Sequence, residues 1–139
     1  MGLTLRETHT ISALFAGAQQ PVDDLLRVID FLHAANEKAK KAWHDIDHIL
    51  AARAAVGIAR ARRDNHVVDI TSFAVIMEMP RTTALRLLRE WESHGYFELE
   101  VTAKNTFVYG TQKNIDVSVQ YFDELVKLQA AMNADQNGE

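Results

Sequence analysis

The chain has 139 residues, 47% of them hydrophobic and 24% charged, with a formal net charge of −4, six glycines, two prolines and no cysteine. These values exclude disordered and collagen-like classes, disulfide scaffolds and thiolate metal sites, and the length suits one domain around one core. The acidity is uneven: residues 47–113 hold nine Lys/Arg against eight Asp/Glu, so the excess negative charge sits in the flanks and a central DNA contact stays open.

The first candidate element is a short helix over Ile11 to Ala18, capped by Thr10 or Ser12. It is read as a helix and not a leader, because its apolar length is marginal and Glu7 precedes it where a leader carries positive charge. No apolar run approaches the ~20 residues of a membrane helix, and a cytoplasmic protein with no membrane association is expected. Pro21 suits a first helical turn, with Asp23 and Asp24 at the positive pole of the dipole. Val22, Leu25, Leu26, Ile29, Phe31 and Leu32 follow at three- and four-residue spacing, the apolar stripe of a helix reaching about residue 40.

A second long helix is predicted over Trp43 to Arg63, with Trp43, Ile46, Leu50, Ala54 and Ile58 inward and Arg60, Arg62 and Arg63 crowding its last turn. Val67 to Asp69 reads as a short extended segment. Asp69 or Thr71 caps the next helix, whose inward face is Phe73, Ala74, Ile76 and Met77, and Pro80 ends it. Ala84, Leu87, Leu88 and Trp91 then form the buried stripe of a helix from about Thr82 to His94, with Gly95 as its left-handed stop. Beyond it the period drops to two. Phe97, Leu99 and Val101 alternate with Glu98 and Glu100 as a half-buried strand, residues 102–105 turn, and residues 106–111 return. A last helix, capped by Asn114 or Asp116, carries Val119, Phe122, Leu125, Val126, Leu128 and Met132, and the chain after Asn133 is a polar tail.

Helix, short strand, helix, proline turn, helix, glycine and hairpin is the order of a winged helix-turn-helix, whose second helix enters the major groove. The predicted fold class is therefore mainly α (α+β), a winged helix-turn-helix with long N- and C-terminal dimerisation helices. One domain spans 1–139: N-terminal helices over 1–45, the winged module over 46–113, and a C-terminal helix and tail over 114–139. Arg81, Thr82, Thr83, Leu85, Arg86 and Arg89 on the recognition helix, with Lys104 on the wing, are the candidate contacts to double-stranded DNA. Arginine can donate twice to guanine O6 and N7, threonine to phosphate, and Leu85 can meet a thymine methyl. The same face could also be solvated, with Arg86 and Glu90 as an i,i+4 pair.

Residues 66–111 resemble bacterial winged-helix regulators: Phe73-Ala74 stands where Leu-Ala is usual, Arg81-Thr82-Thr83-Ala84 opens the recognition helix, and Arg86, Leu88, Trp91 and Gly95 keep the usual spacing. The flanking helices make the whole chain similar to the MarR (multiple-antibiotic-resistance regulator) family, and Thr111 matches the threonine that closes its second wing strand. That resemblance implies a homodimeric transcriptional regulator, a repressor, that releases DNA on binding a small aromatic effector. The wing departs from the family pattern, with Lys104 as its single basic residue and Glu98 and Glu100 facing outward. Acidic wings also suit a winged-helix protein-interaction module that binds no DNA.

Two further residue sets carry readings of their own. His44, Asp47 and His48 fall at i, i+3 and i+4, a two-histidine, one-carboxylate face for Zn²⁺ or Fe²⁺ that needs a fourth ligand from His33, His66 or a partner, or else a set of solvated helix polar residues. Trp43, Phe31, Trp91, Tyr96, Phe107 and Tyr109 either line an effector pocket or fill the core. No nucleophile elbow, phosphate-binding glycine loop or dinucleotide fingerprint is present, so neither a cofactor nor enzymatic activity is expected.

Overall fold

The computed structural model describes residues 19–136. The helix expected over residues 11–18 lies outside them. Five helices and one hairpin follow in order: α1 (Gln19–Ala42), α2 (His48–Arg63), α3 (Ile70–Met77), α4 (Arg81–Ser93), β1 (Phe97–Val101), β2 (Thr106–Gly110) and α5 (Gln112–Gln136). Helices α1 and α5 pack along one another, while α2, α3, α4 and the hairpin make the second layer. Among the described residues, no helix is long and apolar enough to cross a membrane.

The long helix expected from Trp43 is broken. Trp43 follows the end of α1, and α2 starts only at His48. The apolar spacing ran on in phase across the gap, but Asp47 adopts extended backbone and its carboxylate accepts from the Ile49 and Leu50 amides, which fixes a new helix start. Asp69 caps α3 through the Ser72 amide at 2.8 Å, as one of the two predicted caps. Thr71 lies inside that helix. Pro80 does not end α3 itself: the helix stops at Met77, Glu78 takes a left-handed conformation (φ 55°), and Pro80 stands at the N-cap of α4.

The core joins both layers. Trp91 of α4 stacks on Phe97 of β1 with centroids 5.7 Å apart, and Phe73 of α3 meets both rings edge-on. Trp43 meets Tyr121 of α5 edge-on at 5.1 Å. Gly57 allows α2 and α3 to approach: a Cβ there would collide with Ile76 Cγ2. Gly95, at φ +82°, is the expected left-handed stop between α4 and the wing.

The antiparallel hairpin pairs Phe97 with Gly110 and Val101 with Thr106. The extended segment expected at 67–69 joins it, since Val108 N donates to Val68 O and Asp69 bridges to Phe107. Helix α5 starts at Gln112, earlier than its predicted caps, because Thr111 Oγ1 already accepts from the Asn114 amide. It continues through Gln136, past the point where a tail was expected.

Candidate nucleic-acid interface

The candidate interface is built on α4. Ala84, Leu88 and Trp91 are fully buried, which turns the opposite face outward and exposes Arg81, Thr82, Thr83, Arg86 and Arg89. Leu85 is half-buried and packs against the core, so less of it is free for a base edge than the helical wheel suggested. Among the described residues none of the three arginines makes an ion pair, and the i,i+4 pair between Arg86 and Glu90 is not formed. Three exposed guanidinium groups without carboxylate partners among the described residues keep their donors free.

The start of α4 adds to this. Asp47, Asp69 and Thr111 cap α2, α3 and α5 with side-chain oxygens, whereas Pro80 offers none to α4. Ala84 N is the first amide to bond back, to Pro80 O at 2.9 Å. Among the described residues the amides of Arg81, Thr82 and Thr83 remain open at the positive pole of the helix, the geometry that binds phosphate.

The wing is fixed beside this helix-turn-helix pair. Asp69 Oδ2 accepts from Asn105 Nδ2 at 2.9 Å while its other oxygen caps α3. Both contacts hold the Asp69 carboxyl below its ordinary value, the Ser72 amide contributing most. Asn105 Oδ1 in turn accepts from Thr106 N, and Thr102 closes the turn onto Asn105. Lys104 is exposed at this tip, and Glu98 and Glu100 are exposed on the strand behind it.

No family model matches the sequence, and no curated protein matches it. Solved structures do match in shape. MepR, a transcription regulator of the Staphylococcus aureus multidrug efflux pump MepA, superposes with a TM-score of 0.62 at 17% identity, covering 80% of this chain and 81% of that one. A MarR-family transcriptional regulator from Rhodococcus sp. RHA1 gives 0.55 at 14% identity over 94% and 81% of the two chains. MarR from E. coli, in its oxidized form, gives 0.56 at 12% identity over 84% and 81%. The chain folds as a MarR-type winged helix.

Within the MarR-type frame, the metal candidates are not brought together. His44 lies in the turn after α1, the Asp47 carboxylate is engaged as a cap, and His48 opens α2; among the described residues no cluster of three ligating side chains forms. The one-face arrangement required an unbroken helix through residue 47, which the cap prevents.

The aromatic set divides: Phe31 lines a cleft between α1 and α5, Phe107 is half-buried, Tyr109 is exposed, and the other three are core. Trp43, Trp91 and Tyr96 are at most 1% exposed. The MarR-type layers also leave a cleft of about 180 Å³ between α2, the end of β2 and α5, lined by Ala55, Ile58, Ala59, Arg62, Asn114, Ser118 and Phe122 among others. Its walls are mostly aliphatic, with Arg62, Asn114 and Ser118 as polar points.

Sequence reasoning missed a polar cluster behind α4. Tyr96 Oη donates to Asp45 Oδ1, His94 Nδ1 stands 3.4 Å from Asp45 Oδ2, and Lys113 Nζ donates to His94 O at 2.8 Å while lying over the Tyr96 ring. Burial first, and then the Asp45 contact, pushes the Tyr96 phenol far above its usual range, while the Tyr96 hydroxyl holds the Asp45 carboxyl low. No spacing signal links these positions, which lie on three separate segments. Asn114 did leave one: it occupies the position of an apolar residue on the stripe that continues through Val117, Tyr121 and Leu125.

Proposed function

We propose that the chain is a sequence-specific, non-catalytic DNA-binding transcriptional regulator, acting in the cytoplasm as a homodimeric repressor that a small aromatic effector releases. The observation that carries the reading is the α4 surface: three arginines that have no carboxylate partner among the described residues, beside a helix start whose amides are open among them. Arg81 and Arg86 read bases, Thr82, Thr83 and the open amides hold phosphate, Leu85 offers its exposed edge to a thymine methyl, and Arg89 and Lys104 add backbone contacts.

The dimer is supported by apolar surface on the two long helices. Leu25, Leu26 and Leu32 of α1 and Val119 and Val126 of α5 are all more than half exposed. A second copy covering these stripes removes them from water and brings two recognition helices to successive major grooves, about 34 Å apart. The cleft beside Arg62 is the place for the effector: its volume suits a single ring, and Arg62 and Asn114 offer donors to a polar substituent.

Selection from a random duplex pool followed by fluorescence anisotropy tests the reading. A selected site should be bound in 150 mM salt, and Arg81→Ala or Arg86→Ala should each lower discrimination by about 1–3 kcal/mol. Affinity indifferent to both substitutions sinks the assigned face. One observation favours a second reading, a protein-interaction module: Glu98 and Glu100 are exposed along the wing, where DNA would repel them. No retained duplex, with a stable protein partner instead, selects that alternative.

A further inference from the structure

Asn114 is the buried polar side chain among the described residues, 8% exposed. An amide on an apolar stripe is costly unless its groups are hydrogen-bonded. Its Oδ1 accepts from Trp43 Nε1 at 3.2 Å, a contact across 71 positions of sequence. An indole N–H can only donate, so the bond fixes the orientation of the amide and turns Nδ2 the other way. Nδ2 donates to no protein group among the described residues, is not sealed in the core, and belongs to a residue that lines the cleft. One side chain therefore has one polar atom on the end of α1 and the other available to whatever fills the cleft.

From Trp43 the connection continues toward α4. Two residues on, Asp45 holds the Tyr96 hydroxyl and His94, the residue that caps the C-terminal end of α4. Lys113, the chain neighbour of Asn114, donates to the His94 carbonyl and lies 4.0 Å from the Asp45 carboxylate. The segment 43–45 is thus tied at one end to the cleft wall and at the other to the recognition helix.

We propose that Asn114 is a positioning residue that couples occupation of the cleft to the placement of the recognition helix, through Trp43 and the contacts of Asp45 with Tyr96 and His94. This rests on the effector-responsive regulator proposed above. A ligand oxygen that takes the free Nδ2–H draws the amide toward the cleft and weakens its bond to Trp43. The turn carrying Asp45 then shifts, and the end of α4 shifts with it. Coupling of this kind is reciprocal, so DNA on α4 is felt at Trp43.

The test uses the full chain, a selected duplex, and benzoate as a probe for the cleft. The chain has two tryptophans, and among the described residues only the Trp43 indole N–H has a partner; Trp43→Phe assigns the two ¹⁵N indole resonances. Adding duplex should move the Trp43 resonance. At benzoate levels that saturate its thermal shift, the wild-type Kd for DNA should rise about tenfold. In Trp43→Phe, and independently in Tyr96→Phe, that ratio should fall below about twofold while benzoate affinity stays within about threefold. Melting curves establish that each variant is folded, and Tyr96→Phe, which removes a single hydroxyl, carries the test if Trp43→Phe is not. Retention of the full ratio in folded variants, or a Trp43 resonance unmoved by duplex, overturns the coupling alone. A wild-type chain that binds no duplex overturns the regulator reading, and the coupling with it.

Discussion

Gly57→Ala probes the crossing that seats the helix-turn-helix pair. The added Cβ would collide with Ile76 Cγ2 and stand 3.2 Å from Ile76 Cβ and Cγ1, whereas ordinary contacts begin at 3.4 Å. Ile76 is branched at Cβ and half-buried on α3, so the methyl cannot swing away without a rotamer change or a shift of α3. Overpacking of this kind costs about 1–3 kcal/mol, and alanine in a helix interior returns about 1 kcal/mol relative to glycine. The net expectation is a loss of up to about 2 kcal/mol in urea unfolding at fixed protein concentration. In an Ile76→Ala background the Cγ2 collision and the Cγ1 contact are gone, the 3.2 Å approach of the two Cβ atoms stays, and helix propensity offsets it, so Gly57→Ala should fall between neutral and a gain of about 0.5 kcal/mol. The loss must disappear or reverse in the Ile76→Ala background. A loss of the same size in both refutes the close approach of α2 and α3.

Other perturbations reach the wing, the caps and the cluster behind α4. Lys104→Ala should weaken binding to all duplexes alike and reduce the slope of log K against log salt by about one, read by anisotropy from 50 to 200 mM salt. Asp69→Ala removes the cap of α3 and the anchor of Asn105 together, and should cost about 1–2 kcal/mol in thermal or urea melts. The low folded pKa of Asp45 contributes stability above its usual 3.8 that is lost as pH falls through the depressed value. The raised Tyr96 pKa contributes stability that is complete below 10 and lost as pH rises beyond it. Tyr96→Phe should therefore lower mid-range stability by about 1 kcal/mol, discounted for the exposure of Asp45, and flatten both limbs of the stability–pH curve.

The periodicities of the sequence located every described element, and in α3, α4 and β1 the stripe is the buried face: Phe73, Ala84, Leu88, Trp91 and Phe97 all occupy core positions read from spacing alone, whereas the stripe of α1 stays largely exposed. Boundaries set by a single hydrogen bond were harder to read. The stripe from Trp43 to Ile58 looks unbroken, yet the Asp47 carboxylate divides it, and the proposed two-histidine face disappears with the division. Thr111 takes the start of α5 from Asn114 and Asp116 because it also ties the wing, accepting from Asn114 N while donating to the Gly95 and Tyr96 carbonyls. The outward residues of α4 were legible, since exposing them is the complement of burying Trp91. The aliphatic cleft and the Asp45 cluster were not, because both arise where segments distant in sequence meet.

On the proposed DNA-binding reading, the missing cap on α4 sets folding against recognition. Serine or aspartate at position 80 would complete that helix and stabilise it by about 1 kcal/mol, as Asp47 and Asp69 do for their own helices. The same oxygen would occupy the amides that a phosphate needs, and aspartate would repel it as well. Pro80→Asp should thus yield a chain that melts higher and binds duplex more weakly. On that reading, selection for thermal stability alone would drive the chain away from duplex binding.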